Sequence, residues 1–344
     1  MLYRNLGNTG MKVSVLGFGN WVTSHNPDQA KTTEECVVRC VEEGINFFDT
    51  AEIYGFGEAE RIFGDIFAKH AWPRDKLVIS TKYIRSGPGV NDGGLSRKHI
   101  VEGVKASLKR LKMDYVDVIF AHRPDFDTPM EETVRAMNWV IQNGLAFYWG
   151  TSEWSAAMIQ EACGEAERLG LIGPVVEQPQ YNMLVRDKFE KEYAYLFDKH
   201  RMGSTVWSPL ASGILTGKYN DGNIAAGGRF DTSDPMMKMV LSRYFSEDKK
   251  EATVKILGGL GEIAKEMDCT QAQLALAWTV ANTDVSTAIL GASRVGQIES
   301  NVKALDVLKK WTPELDKRLE DLLKNEPRGE LDWRGMGLGK NHRG

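Results

Sequence analysis

The chain has 344 residues, 42% of them hydrophobic and 26% charged, which supplies ample apolar material for a core and carries no compositional signature of disorder. Its 43 Lys and Arg against 47 Asp and Glu leave a formal charge of −4 with the signs interspersed, so neither nucleic acid nor an anionic membrane surface is an expected partner. No apolar run is long enough to span a bilayer and none resembles a signal peptide, which excludes direct membrane insertion from the expectations.

In chain order, residues 3–13 turn at Gly7-Asn8-Thr9-Gly10 and read as a hairpin preceding the first strand of a larger sheet. Short β-branched or aromatic runs then alternate with amphipathic windows. The expected strands are 13–16, 45–49, 77–81, 115–120, 146–150, 175–178, 204–207 and 287–290. Residues 32–43 form a helical window carrying Cys36 and Cys40, four apart. With Cys163 and Cys269 they make no CxxC pair, so all four read as packing cysteines of a reducing, cytoplasmic compartment, with no metal site expected. Ile100, Val104, Leu108 and Leu111 share one helical face, and Thr128-Pro129-Met130-Glu131 reads as a capping box with proline at the first helical position.

Eight strand–helix repeats without a linker predict an α/β fold of the closed (β/α)8 TIM barrel type, with the hairpin as an N-terminal cap. An open doubly wound sheet is the alternative, but Gly17-Phe18-Gly19-Asn20-Trp21-Val22 carries only the first two glycines of its fingerprint. The expected organisation is a single barrel domain over residues 1–325 and a frayed C-terminal tail over 326–344. Residues 218–245, after strand seven, read as a long functional loop.

Chemistry in such a barrel collects at the C-terminal ends of the strands. There the sequence has Asp49 in Phe47-Phe48-Asp49-Thr50-Ala51, Lys82 in Ser80-Thr81-Lys82, and His122 in Phe120-Ala121-His122-Arg123, with Tyr54 on the short loop after strand two. A tyrosine beside an ammonium is a candidate proton donor, because the cation stabilises the phenolate and lowers its pKa. Asp49 would hold Lys82 charged, and His122 would hydrogen-bond a carbonyl oxygen as negative charge develops. The set points to carbonyl reduction with hydride from a cofactor. Trp21, Tyr83, Trp149 and Trp154 are either pocket walls or packing.

These residues, with Asp49-Thr50-Ala51-Glu52-Ile53-Tyr54-Gly55, Tyr148-Trp149-Gly150-Thr151-Ser152, Trp207-Ser208-Pro209-Leu210 and Gly291-Ala292-Ser293, closely resemble the aldo-keto reductase superfamily from about residue 3 to 308. The resemblance implies NADP(H) bound in extended form and a catalytic tetrad of Asp49, Tyr54, Lys82 and His122. It also implies that Ser152 and Gln178 hold the nicotinamide carboxamide and that Asn20 and Trp21 line the pocket beside Asp49. Trp207, Ser208, Pro209, Leu210, Ser212, Lys218 and Arg229 would follow ribose and pyrophosphate, making the long loop a cofactor clamp. Gly291, Ser293 and Arg294 would meet the adenosine phosphate at a helix N-terminus, and Gln297 and Asn301 the adenine. An arginine fork there favours NADPH over NADH.

Pro124 with Thr128-Pro129-Met130-Glu131-Glu132-Thr133-Val134-Arg135-Ala136-Met137 is most similar to the potassium-channel β-subunit group of that superfamily. That resemblance adds a second class of function, a cytoplasmic homotetramer docked on a voltage-gated potassium channel α subunit. This chain has His122 and Glu153 where the animal channel subunits carry asparagine and arginine, and it opens almost directly on the hairpin, so no segment that plugs a pore is expected ahead of it. A soluble reductase of a small carbonyl substrate, an aldehyde or a ketone, is the leading expectation.

Overall fold

The chain alternates strand and helix as its hydrophobic periodicity dictates, and in the computed structural model, which describes residues 1–23, 29–224, 229–329, 331–334 and 337–338, eight parallel strands close into a barrel. They are β3 (Leu16–Gly19), β4 (Phe47–Asp49), β5 (Val78–Tyr83), β6 (Val118–Ala121), β7 (Tyr148–Ser152), β8 (Val176–Gln178), β9 (Gly203–Val206) and β10 (Thr287–Leu290). β10 pairs with β3 to close the ring. Between strands run α1 (Ala30–Glu42), α2 (Glu58–His70), α3 (Arg97–Leu111), α4 (Met130–Gln142), α5 (Ala156–Leu169) and α6 (Ala194–His200). The (β/α)8 expectation holds.

Two compact units result. The first comprises Met1–Gln180, Glu192–Trp207 and Asp284–Glu299 and contains the whole barrel. The second comprises Tyr181–Lys191, Ser208–Thr283 and Ser300–Gly344. Its helices are α7 (Pro235–Phe245), α8 (Lys250–Glu266), α9 (Gln271–Ala281), α11 (Ala304–Leu308) and α12 (Pro313–Leu323). α9 is apolar on all sides and packs against α8 and α11, and it starts at a complete capping box between Thr270 and Gln273. α10 (Val295–Val302) follows the last barrel strand.

Within the first unit, side-chain parity fixes what faces the barrel interior, because successive residues of a strand point to opposite faces. Phe47, Val78, Val118, Phe120, Val176 and Ile289 form one buried apolar cluster. Their outward neighbours turn to the helices, as when Phe48 packs edge-on against Phe63 and Phe67 of α2. The hairpin closes the bottom: β1 (Tyr3–Asn5) pairs antiparallel with β2 (Lys12–Ser14), and Leu6 and Val13 join the interior cluster. Gly7 is required at its turn, since φ is +59° and a Cβ would stand 2.3 Å from the backbone nitrogen of Gly203.

Several local expectations need correction. The strand expected over 13–16 is two: β2 ends at Ser14 and the barrel strand begins at Leu16. Alternation continues through the corner, which is marked instead by hydrogen bonds, Ser14 Oγ to Leu16 O and Ser14 N to Asn46 Oδ1. The capping box at Thr128 does not form; Pro129 occupies the N-cap and Thr128 Oγ1 donates to Asp125 Oδ2. Residues 218–245 are not all loop, since α7 begins at Pro235, a favoured first-turn residue; residues 225–228 lie outside the described residues. In the expected tail, β11 (Leu331–Asp332) and β12 (Gly337–Leu338) pair antiparallel, while 330, 335–336 and 339–344 lie outside the described residues.

Candidate active site

Parity also builds the site. Asp49, Lys82, Ser152 and Gln178 occupy inward positions near the C-terminal ends of β4, β5, β7 and β8, and His122 continues the inward row of β6 just past its last residue. Asp49 therefore meets three donors inside the barrel: Lys82 Nζ at 2.5 Å, Ser80 Oγ at 2.6 Å and Gln178 Nε2 at 3.2 Å. Lys82 has no solvent exposure, and its ammonium also donates to Thr50 O at 2.8 Å and to the Tyr54 hydroxyl at 3.3 Å. An ion pair this deep is tolerated because every ammonium proton has an acceptor.

The loop carrying Tyr54 is tied to β5 by backbone bonds, Thr50 N to Ser80 O and Glu52 N to Lys82 O. The Glu52 carboxylate accepts from Ile84 N at 2.7 Å and meets His99 Nε2 of α3 at 2.9 Å. Beyond Tyr54, Gly55, Phe56 and Gly57 all take positive φ, and the non-glycine Phe56 holds a sparsely populated conformation of the kind that clusters at functional sites. The Tyr54 ring meets the His122 ring edge-on, with centroids 5.7 Å apart.

Tyr54 departs from the sequence expectation. Burial pushes its pKa above the ordinary value, and the opposing pull of Lys82 does not overcome it. The phenol is thus held protonated, while the ammonium waits beside it. His122 is held neutral: burial lowers its pKa well below the usual range, and the positive charges of Lys82 and Arg123 add to the effect. Its Nδ1 is buried without a hydrogen-bond partner among the described residues.

The residues expected at a nucleotide fall on both units. In the first, Ser152 Oγ donates to Gln178 O, and the Gln178 amide also reaches Thr205 Oγ1 at 3.1 Å. Asn20 is buried, donating to Ala59 O while its Oδ1 has no partner among the described residues; Trp21 beside it is half-buried and Trp207 Nε1 donates to Glu153. Gly291 has no room for a side chain against Val22. Arg294 is exposed, and its side chain forms no hydrogen bond or ion pair among the described residues. Gln297 turns back to accept from Ser293 N at 2.8 Å, capping its own helix. In the second unit, Ser208, Ala211 and Ser212 all have positive φ, and Ser208 Oγ accepts from Ser212 N. Pro209 is buried and Leu210 half-buried beside them, Lys218 and Arg229 are exposed, and Asn301 is buried. Within the first unit, the unsatisfied Asn20 Oδ1 and the Arg294 side chain, unpaired among the described residues, suit polar groups of a ligand.

Of the aromatic candidates, Tyr83, Trp149 and Trp154 are wholly buried packing residues, and Trp149 Nε1 donates to Ile172 O. Reading for titratable strand ends missed Ser80, Thr205 and Arg123; parity from Lys82 signals the first, Thr205 lies on β9 beyond the reach of parity along β8, and Arg123 is simply the residue after His122.

A family model described as aldo/keto reductase matches residues 15–320. The chain belongs to the aldo/keto reductase family. It is thus placed among oxidoreductases, and no helix among the described residues is long and apolar enough to cross a membrane. Its similar relatives in this family include a probable voltage-gated potassium channel subunit beta of Arabidopsis thaliana, 51% identical over 97% of this chain and 100% of the relative. The protein of the same description from Oryza sativa subsp. japonica is 49% identical over the same shares. A putative voltage-gated potassium channel subunit beta of Schizosaccharomyces pombe is 47% identical over 94% of each chain.

Proposed function

We propose that this aldo/keto reductase reduces aldehydes or ketones to alcohols with NADPH, with Tyr54 as general acid. The observation that carries the reading is the Tyr54 hydroxyl 3.3 Å from an ammonium that is wholly buried and paired with Asp49. Bound NADPH supplies the hydride. As charge develops on the substrate oxygen, neutral His122 donates a hydrogen bond and Tyr54 delivers its proton. Burial keeps the phenol protonated beforehand; Lys82 then stabilises the phenolate left behind, and Asp49 balances Lys82. On the first unit, Ser152 and Gln178 would hold the carboxamide, and Ser293 and Arg294 the adenosine phosphate. On the second, Ser208, Ser212, Lys218 and Arg229 would serve ribose and pyrophosphate, with Asn301 for adenine. We take residues 1–325 as one functional domain in the cytoplasm and 326–344 as its tail.

The test is NADPH oxidation by the purified protein against a panel of aldehydes and ketones, with Tyr54→Phe beside it. Turnover should disappear in the variant while NADPH affinity stays near wild type, because the substitution removes a proton donor and not a cofactor contact. Undiminished turnover in Tyr54→Phe would overturn the assignment.

A second reading is favoured by the names of three relatives at 47–51% identity over nearly their full length: a regulatory beta subunit of a voltage-gated potassium channel, to which we add NADPH binding and a homotetrameric assembly as further proposals. Co-purification with a channel α subunit, and tight NADPH binding without turnover, would support it.

A further inference from the structure

The tetrad accounts for protonation of a carbonyl oxygen and leaves open which carbonyl compound is taken. Arg123 bears on that question. It directly follows His122 at the C-terminal end of β6, its side chain is exposed, and its Nη1 donates to His122 O at 2.5 Å and to Ser152 Oγ at 3.1 Å. Both bonds leave from one nitrogen, so Nε and Nη2 are uncommitted among the described residues. Neither partner is a carboxylate, and Arg123 forms no ion pair among the described residues, unlike Arg74, Arg110 and Arg186, each facing an acid.

The neighbouring acids are engaged elsewhere. Asp49 serves Lys82, Ser80 and Gln178. Asp125 accepts from Leu95 N, Thr128 Oγ1 and Asp127 N, and Glu153 accepts from Gln180 N and Trp207 Nε1. The charge of Lys82 is balanced by Asp49, whereas that of Arg123 is not balanced by any of these. It is close enough to the reacting groups to favour the ionised form of Tyr54 and the neutral form of His122. The loops after β4, β5 and β6 add exposed apolar side chains, Phe56, Val90 and Phe126, at the same end of the barrel.

We infer that Arg123 is a specificity-determining residue that selects a carbonyl substrate carrying a carboxylate on an apolar body. A guanidinium edge matches a carboxylate in a bidentate fork, and an anion there also neutralises a charge that has no carboxylate partner among the described residues. The inference rests on the reductase reading and specifies its substrate class.

The experiment compares para-formylbenzoate with its neutral methyl ester as substrates of the full chain, scored as the ratio of their kcat/KM values. Wild type should favour the acid, and Arg123→Gln should lower the ratio about tenfold to hundredfold, the loss lying in KM because the contact is made in ground and transition states alike. Arg123→Lys should restore part of the ratio by charge alone, and Arg123→Glu should drive it below one. A wild-type enzyme indifferent to the carboxylate, or an Arg123→Gln variant that slows both substrates equally, overturns the inference while the reductase reading stands. If neither aldehyde turns over, the reductase reading is left to the wider panel, and calorimetry with para-hydroxymethylbenzoate still decides the point. Binding that weakens in Arg123→Gln supports a carboxylate subsite; equal binding, or none in wild type, overturns it.

Discussion

Replacing Asp49 by asparagine isolates the interaction on which the rest of the site depends. Every group that Asp49 contacts is a donor: the Lys82 ammonium, the Ser80 hydroxyl and the Gln178 amide. An asparagine can present its oxygen to only one side, so its amide nitrogen must face a donor, and the ammonium loses its counter-charge with no solvent to replace it. Breaking a buried pair by removing one partner costs about 3–5 kcal/mol. With an unfolding entropy of roughly 2.1 cal/mol/K per residue, that corresponds to a fall in Tm of about 4–7 °C if the chain melts as one unit. Asp49→Asn with Lys82→Met removes both charges, so the double variant should be more stable than the sum of the singles predicts by about 1–3 kcal/mol. Thermal unfolding followed by near-UV circular dichroism reads both numbers. A Tm for Asp49→Asn within about 1 °C of wild type, or additivity within about 0.5 kcal/mol, would refute the reasoning.

Two buried histidines should shape the pH dependence of stability in opposite senses. His122 has a depressed pKa in the folded state through burial and the charges of Lys82 and Arg123, so stability present above about pH 6.5 is lost as pH falls below it. For His99, burial lowers the pKa but the hydrogen bond and charge of Glu52, with Asn91 and Asp92, raise it further, so its contribution is full below about pH 6.5 and is lost as pH rises through the raised value. Denaturant titrations at several pH values should show His99→Gln flattening the alkaline decline and His122→Asn the acid one; unchanged limbs would contradict these assignments. Gly7→Ala should destabilise by more than about 1 kcal/mol, because it adds both a left-handed alanine and a clash with Gly203; a midpoint equal to wild type in urea would exclude that packing. Arg294→Ala should weaken NADPH far more than NADH in fluorescence titrations, and equal weakening would remove the argument for a 2′-phosphate contact.

The barrel was legible because alternation of strand and helix periods survives in single elements: Ile100, Val104, Leu108 and Leu111 are all buried on α3 as their spacing requires. The juxtaposition of Asp49, Lys82, Tyr54 and His122 was legible because Asp49, Lys82 and His122 are titratable groups close to strand ends, where local sequence decides their position. What escaped depends on side-chain partners that hydrophobic periodicity does not name. The corner at Ser14 is held by Asn46, and Thr128 finds Asp125 in place of its own helix. The sign of the shift at Tyr54 is a contest between burial and a cation, and sequence names the cation but not the depth. Glu52 and His99, 47 residues apart, carry no local pattern that announces their pairing.

The hairpin that packs Leu6 and Val13 into the barrel floor would also fix the direction of proton traffic in the proposed reaction. Lys82 has no surface and Asp49 almost none, so neither can exchange a proton with bulk water from below or from the side. Under the mechanism proposed above, each proton that leaves Tyr54 must then be replaced through the phenol itself, from the end of the barrel by which the substrate arrives. The inner pair works as a fixed electrostatic counterweight, and catalytic cycles would be separated by moments in which the mouth is open to water.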